Sequence, residues 1–483
     1  MSNILLLEIA TLVLLLMLMT GAPVALGLLV SGIVGLVLSS GLDITSTTLG
    51  ALPYQATAKI ALVVIPMFLL MGIAAEKARI AEDMFRIADR LFRKIPGGLG
   101  VATIAACAAF GAVSGSSVAA ASTIGRVSIH EMIKYRYSTE LASGIVAVAG
   151  TLSVMIPPSI ILVLYGIMAE ESIGSLLIAG IVPGVVSAII LAVGVMVIAR
   201  FTRHAGTPEP AAATASSAST IATPIAAATT DVEAAAAAVA ATTAAATAST
   251  AAAASPGAGA QPQRSPWVGA IEGMLLFLVV VGGIYTGIVT VNEAAAVGAL
   301  AGMVILALEL TRLPARDVWR KAAGAFAETT ATTSFIFAIL VGASVFTYFL
   351  VSIDIPSQFA EWVAALPLDP KVIVGLLLLA MIPLGMFLDP VSILLIIVPL
   401  AHPVIKALGF SGIWFGILLV QMIEIGLVTP PVGLNVFVVA GTPGVTLEKA
   451  FKGIFLLLPL QIIAVLLFFA FPEIVLWLPQ HMH

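Results

Sequence analysis

Two tandem prolines interrupt long apolar stretches of this chain, at Met155-Ile156-Pro157-Pro158-Ser159 and at Val428-Thr429-Pro430-Pro431-Val432. Proline has no N–H and its ring crowds the carbonyl four residues back, so each pair breaks a helix and leaves carbonyl oxygens without donors. The first break frees the carbonyls of Ser153 and Val154, beside Gly150 and Thr151. The second frees those of Gly426 and Leu427, beside Thr429, Gly433 and Asn435. Upstream of each break a polar tip separates two short apolar arms: Ser114-Gly115-Ser116-Ser117 in the first half, Asp389-Pro390 in the second. Hydroxyl and carbonyl oxygens converging on one spot suit a hard cation such as Na+. The candidate ion ligands are therefore Ser114, Gly115, Ser116, Gly150, Thr151 and Ser153 in one half, and Asp389, Gly426, Thr429 and Gly433 in the other.

Each of these residues also has a plainer reading. Small-residue runs such as Ser114–Ser117 pack membrane helices closely. Asp-Pro at 389–390 is a helix start, with the carboxylate as N-cap. An acid inside a membrane is nonetheless expensive and usually functional, and the two roles of Asp389 are compatible. Glu424 fits structural pairing as well as coupling, and Glu293, after Thr290, fits a helix cap. The polar run Glu328–Ser334 reads as a packed or solvated face. His130 and His402 have no neighbours at ligand spacing, and the lone Cys107 excludes an internal disulfide.

The elements that must carry these residues are set by composition. Of 483 residues, 60% are hydrophobic and 10% charged, with mean hydropathy +1.16. A soluble protein of this size carries roughly 25% charged residues, so the chain is an all-α polytopic membrane protein in a lipid bilayer. A net charge of −4 says little, because what matters is where Lys and Arg lie; no nucleic-acid partner is expected. The sequence contains no Walker A motif and no catalytic dyad, which argues against an ATPase and an enzyme.

Hydrophobic runs place spans near 3–19, 24–40 and 59–76, an amphipathic segment at 77–95 expected on the membrane surface, arms at 98–113 and 118–130, a broken span at 138–169 and a full span at 172–199. The second half repeats the order: 267–287, 294–311, 325–351, a polar-faced segment at 354–366, arms at 371–387 and 391–405, a broken span at 411–441 and a full span at 453–477. Arms of about 15 and 13 residues rise only ~20 Å, short of the ~30 Å hydrocarbon core, so each pair is read as a re-entrant hairpin whose tip lies near mid-membrane. Residues 3–19 are read as a retained span, there being no basic n-region or cleavage site.

Basic residues in short loops mark the cytoplasmic side. Lys77–Lys94, Arg126–Arg136, Arg200, Arg203, Arg312–Lys321, Lys449 and Lys452 all fall on one face by span counting, with Glu170, Glu171, Asp354 and Glu361 opposite. The halves are then inverted repeats, each with five spans (one broken) and one hairpin, and both termini are periplasmic. Domains are 1–204 (hairpin 98–130, broken helix 138–169), 266–483 (hairpin 371–405, broken helix 411–441), and an Ala/Thr/Ser-rich linker 205–265 read as disordered and cytoplasmic. The rival for the linker is a marginal span within 232–254, which opposes the charge bias.

Gly97-Gly98-Leu99, Phe110–Ser117, Gly150-Thr151-Leu152, Ile156–Ser159, Leu162–Gly166, Ser172-Ile173-Gly174, Ala179–Gly184, Glu293–Val297, Trp414-Phe415-Gly416 and above all Glu424–Asn435 resemble, in order and spacing, the large membrane subunit of tripartite ATP-independent periplasmic (TRAP) transporters. Ser153 departs from the Gly of that pattern, and Val291-Asn292 from its Pro-Thr. The resemblance implies an elevator-type, sodium-coupled importer of a small carboxylate in the bacterial inner membrane. A periplasmic solute-binding protein delivers the substrate, and a small four-helix membrane subunit braces the scaffold. It also implies one Na+ site at each tip-and-break pair and substrate between the tips, where Ser116, Ser117, Ser159, Pro390 and Asn435 are the candidate contacts. The alternative is a stand-alone ion-coupled carboxylate transporter without a binding protein.

Overall fold

A computed structural model describes residues 2–201, 265–310 and 315–481. The linker 205–265, apart from Ser265, lies outside them, as do Arg203 and Arg312. Among the described residues every regular element is helical. The first half contains α1 (Asn3–Met19), α2 (Val24–Thr57), α3 (Val64–Lys77), α4 (Ile80–Phe92), α5 (Gly98–Ser114), α6 (Ser117–Lys134), α7 (Thr139–Met155), α8 (Ile160–Ala169) and α9 (Ile173–Phe201). The second contains α10 (Pro266–Phe277, prolonged by a π-helical turn Leu278–Gly282), α11 (Val291–Leu310), α12 (Ala315–Ser352), α13 (Ile355–Ala364), α14 (Pro370–Leu379), α15 (Met381–Gly385), α16 (Pro390–Ala407), α17 (Gly412–Gly426), α18 (Leu434–Ala440), α19 (Leu447–Ala470) and α20 (Pro472–Gln480).

Among the described residues eight helices are long and apolar enough to cross a bilayer, nine if α7 and α8, bent by 45° at the first proline pair, count as one span. Both proline pairs end a helix within a few residues of the expected place, and in both the Pro–Pro peptide bond is cis. The polar tips separate α5 from α6 and α15 from α16.

Four features differ from the hydropathy reading. A helical segment follows Gly41, whose φ of +82° interrupts α2, where no element was expected. Its Thr, Ser and Asp residues dilute the hydropathy, but Thr45 and Thr47 return their hydroxyls to the carbonyls four residues back. Helix α12 begins some ten residues earlier than expected, because a charged stretch loses its apolar signal while keeping good helix formers. The return arms α6 and α16 have 18 residues each, so each rises ~27 Å rather than ~20 Å. The apolar stripe of the amphipathic segment is covered by protein over most of its length: Ile80, Met84, Ile87 and Ala88 on α4 are buried, with α5 and α10 packed against the helix, while Leu91 is exposed.

Contacts between distant helix ends define two poles. At one, Lys77 pairs with Glu328 at 2.9 Å, Gly97 packs on Ala199, and Gly144 on Gly453. At the other, the Asn3 side chain donates to the Ile353 carbonyl at 3.0 Å, Lys406 pairs with Glu171 at 2.6 Å, and the Trp414 indole donates to the Phe468 carbonyl at 2.9 Å. Helix α9 links them: Ala199, near its end, abuts Gly97 at the foot of the first hairpin, while Glu171, just before its start, holds Lys406 at the foot of the second. At 1.5 Å per residue its 29 residues extend about 43 Å, so the hairpin feet lie at opposite ends of one membrane-length helix.

Candidate functional site

In the first half, the tip is pressed into the break. Gly115 caps α5 with φ +62°, a left-handed conformation that costs an L-residue roughly 1–2 kcal/mol, and a Cβ there would run into the Pro158 carbonyl oxygen. From the other side α3 closes in, since a Cβ on Gly72 would sit 3.0 Å from Ser114 Cα. Ser116 and Ser159 each cap the helix that follows: Ser116 Oγ accepts from the Ala119 N–H at 3.3 Å and Ser159 Oγ from the Leu162 N–H at 3.2 Å. Gly150 lies under the hairpin, 3.1 Å from the Ser117 carbonyl at its Cβ position. The Ser114 hydroxyl is buried without a partner.

Ser153 fills a gap between α7 and the hairpin. Its hydroxyl donates to the Cys107 carbonyl at 3.0 Å, and Gly111 lies so close to it that any Cβ there would collide with the Ser153 backbone. A serine is thus accommodated because the facing residue is glycine. Thr151, by contrast, turns away from the tip. Its hydroxyl donates to the Val148 carbonyl at 2.7 Å and accepts from the Gln461 amide at 2.6 Å.

In the second half, Gly385 and Gly426 bring α15 and α17 into backbone contact: a Cβ on Gly426 would lie 2.6 Å from Gly385 Cα. Asp389 is the N-cap of α16, accepting from the Ser392 N–H at 3.1 Å and from the Ser392 hydroxyl, with Pro390 in the first turn. Thr429 Oγ donates to the Ile425 carbonyl at 2.6 Å, and Gly433 starts α18 at φ +63°. Asn435 is wholly buried with both amide atoms unpartnered, on a helix packed against α6 and α7.

The two half-sites meet. Ser117, opening α6, donates to Glu424 Oε1 on α17 at 3.4 Å, and α18 lies along α6. Ser114, Gly115, Ser116, Ser117, Gly150 and Ser159 thus share one neighbourhood, with the helix of Asn435 beside it. Asp389 and Pro390 belong to the other tip. Glu293 forms a capping box with Thr290: its carboxylate accepts from the Thr290 N–H at 2.7 Å and its own N–H donates to the Thr290 hydroxyl at 3.3 Å. Glu328 is engaged by Lys77. Sequence reasoning missed Gln421 and Gln461, polar residues inside apolar spans whose amides reach Ser187 at 3.1 Å and Thr151 at 2.6 Å. The signal was an uncharged amide in a helix with no aqueous face.

Comparison with known proteins places these features among relatives. The family described as "Tripartite ATP-independent periplasmic transporter, DctM component" matches residues 11–474. The C4-dicarboxylate TRAP transporter large permease protein of Pseudomonas aeruginosa is 30% identical over 365 residues, covering 74% of this chain and 72% of that protein. The ectoine/5-hydroxyectoine TRAP transporter large permease protein of Ruegeria pomeroyi is 25% identical, covering 82% and 80%. Among solved structures, the YdaH transporter of Alcanivorax borkumensis superposes with a TM-score of 0.55 at 14% identity, over 92% of this chain and 89% of that one, a likeness of fold alone.

Proposed function

The chain belongs to the DctM family of tripartite ATP-independent periplasmic transporters, and from that premise we propose that it carries a small organic acid into the cell, driven by Na+ through an elevator movement of its hairpin-bearing core. As a large permease of this family it is a multi-pass membrane transporter and not an enzyme, working with a small membrane subunit and a periplasmic binding protein.

The observation that carries the finer reading is the pairing of each tip with a broken helix. Proline breaks inside an apolar core leave carbonyl oxygens that lipid cannot satisfy, so they persist only where protein or a bound ion meets them. At the first pair the donor set is neutral: the Ser114 hydroxyl, which lacks a partner, and the carbonyls of Ser153 and Val154. At the second, the carbonyls expected to be free are not: Gly426 accepts from the Thr429 N–H at 3.0 Å and Leu427 from the Asn435 N–H at 3.3 Å, so each has one lone pair left to offer an ion beside the Asp389 carboxylate and the Thr429 hydroxyl. Both sets are all-oxygen and fit Na+ better than a soft metal. Substrate lies between the tips, where the hydroxyls of Ser116, Ser117 and Ser159, the amide of Asn435 and the N-terminus of the helix that Pro390 opens suit a carboxylate. Hairpin feet at opposite ends of α9 support entry of the two hairpins from opposite faces, hence inverted repeats. The clustering of basic residues at the Lys77 pole supports a cytoplasmic assignment there and periplasmic termini.

Known relatives transport substances as different as C4-dicarboxylates and ectoine, so the acid is chosen with the binding protein. The test is reconstitution of the chain with its small subunit and binding protein in vesicles, after a thermal-shift screen of the binding protein against organic acids. Uptake of the selected acid is expected to need an inward Na+ gradient. Uptake indifferent to Na+ overturns the coupling.

A further inference from the structure

Behind the first tip, five polar side chains from four helices meet in the core: Thr151 on α7, Ser187 on α9, Gln421 and Glu424 on α17, and Gln461 on α19. All five are more than nine-tenths buried, and they line a small cavity of about 10 Å³, close to the minimum for one water-sized occupant. Thr151 already donates to the Val148 carbonyl, so it takes a hydrogen bond only from the nitrogen of Gln461. That fixes the orientation of this amide and leaves its Oε1 bare. Gln421, whose nitrogen serves Ser187, likewise leaves Oε1 bare, and Glu424 Oε2 has no partner either. Three buried acceptors therefore share one small space without a donor, and among the described residues Glu424 has no cationic side chain within ion-pair distance.

The possible occupants differ in what they satisfy. A proton on Glu424 provides a single donor and leaves an amide oxygen orphaned unless a water shares the cavity, and that neutral arrangement holds no Na+ and is what an unchanged Na+ count would report. A water provides two donors and leaves a carboxylate charge uncompensated in a low-dielectric core, where such a charge is costly. One small monovalent cation satisfies all three oxygens and the charge together. We propose that Glu424, Gln421, Gln461 and Thr151 form a further Na+ site, built into the core between the two halves and distinct from the tip-and-break pairs. It rests on the Na+-coupled reading above. Because Glu424 also takes the hydrogen bond of Ser117, the site communicates directly with the first hairpin tip.

Equilibrium binding of radioactive Na+ to the full chain with its small subunit in nanodiscs tests this. Glu424→Gln and Gln461→Leu are each expected to bind one Na+ fewer per chain than wild type, with the remaining Na+ retained. Should Glu424→Gln fail to fold, Gln461→Leu carries the same test, because it leaves the carboxylate in place. A count unchanged from wild type in the folded variants overturns this site and leaves the tip sites standing. A wild-type chain that binds no Na+ overturns both this site and the coupling on which it rests.

Discussion

The two tip-and-break pairs share an order of elements but not an environment. Around the first break, residues 150–166 are all buried, and tip residues Ser114, Gly115 and Ser117 are buried with them. Around the second, Pro431 is exposed, Pro430 and Val432 are half-buried, and Phe387 beside the tip is 56% exposed. The first tip is uncharged, whereas the second carries Asp389. The first break spans four residues between α7 and α8; the second spans seven between α17 and α18. One pair is thus sealed by protein and built from uncharged groups, while the other lies more open and carries a carboxyl side chain. The plan is repeated but its surroundings are not: the first tip and break are themselves uncharged, and the carboxyl beside them, Glu424, is buried on α17 and takes the hydrogen bond of Ser117.

The largest expected effect is on accessibility. Single cysteines placed at Phe387 and Pro431 are expected to react with N-ethylmaleimide in nanodiscs, and cysteines at Ser117 and Ser159 to stay unmodified, as the buried native Cys107 is. Equal labelling of all four, read by mass spectrometry, breaks the contrast. Next comes packing. Gly111→Val drives a side chain into the Ser153 backbone and is expected to cost about 3 kcal/mol or more in stability, measured as a lowered melting temperature. A variant as stable as wild type means that the first tip is looser than the structure shows.

The smallest effects concern the caps. Asp389→Ala and Ser116→Ala each remove an N-cap and are expected to lose about 1 kcal/mol, with Asp389→Ala at the upper side because it also strands the Ser392 hydroxyl. Asp389→Asn keeps the capping oxygen and is expected to match wild type in melting temperature. It should nevertheless weaken Na+ binding, which separates the ligand role from the cap. Wild-type Na+ affinity in Asp389→Asn reduces Asp389 to a cap alone.

Much of this was legible beforehand. Tandem prolines locate a helix break from covalent chemistry alone, and both breaks were found where expected. The tips fall between two apolar arms as read, and the cap of Glu293 follows from its spacing to Thr290, but the return arms α6 and α16, at ~27 Å each, are longer than the hydropathy reading makes them. The rest depended on information that lies between segments. The continuation of α2 beyond Gly41 and the early start of α12 carry ordinary helix formers with little hydropathy, so a search for apolar runs passes over them. The stripe on α4 announced that it would be covered, not by what; α5 and α10, distant in sequence, cover it. Thr151 was assigned to the ion site by its proximity to the break, but side-chain direction depends on which partner lies nearest, and Gln461, 310 positions away, decided it. Gln421, Glu424 and Gln461 read singly as isolated polar residues, and only the packing of α7, α17 and α19 reveals them as neighbours.

Helix α9 touches the base of one hairpin at each extremity, through Ala199 and Gly97 at one and through the Glu171–Lys406 pair just beyond the other. One unbroken run of 29 helical residues therefore joins the bases of both hairpins, and in the elevator movement proposed above it is the element through which the two would be tied together.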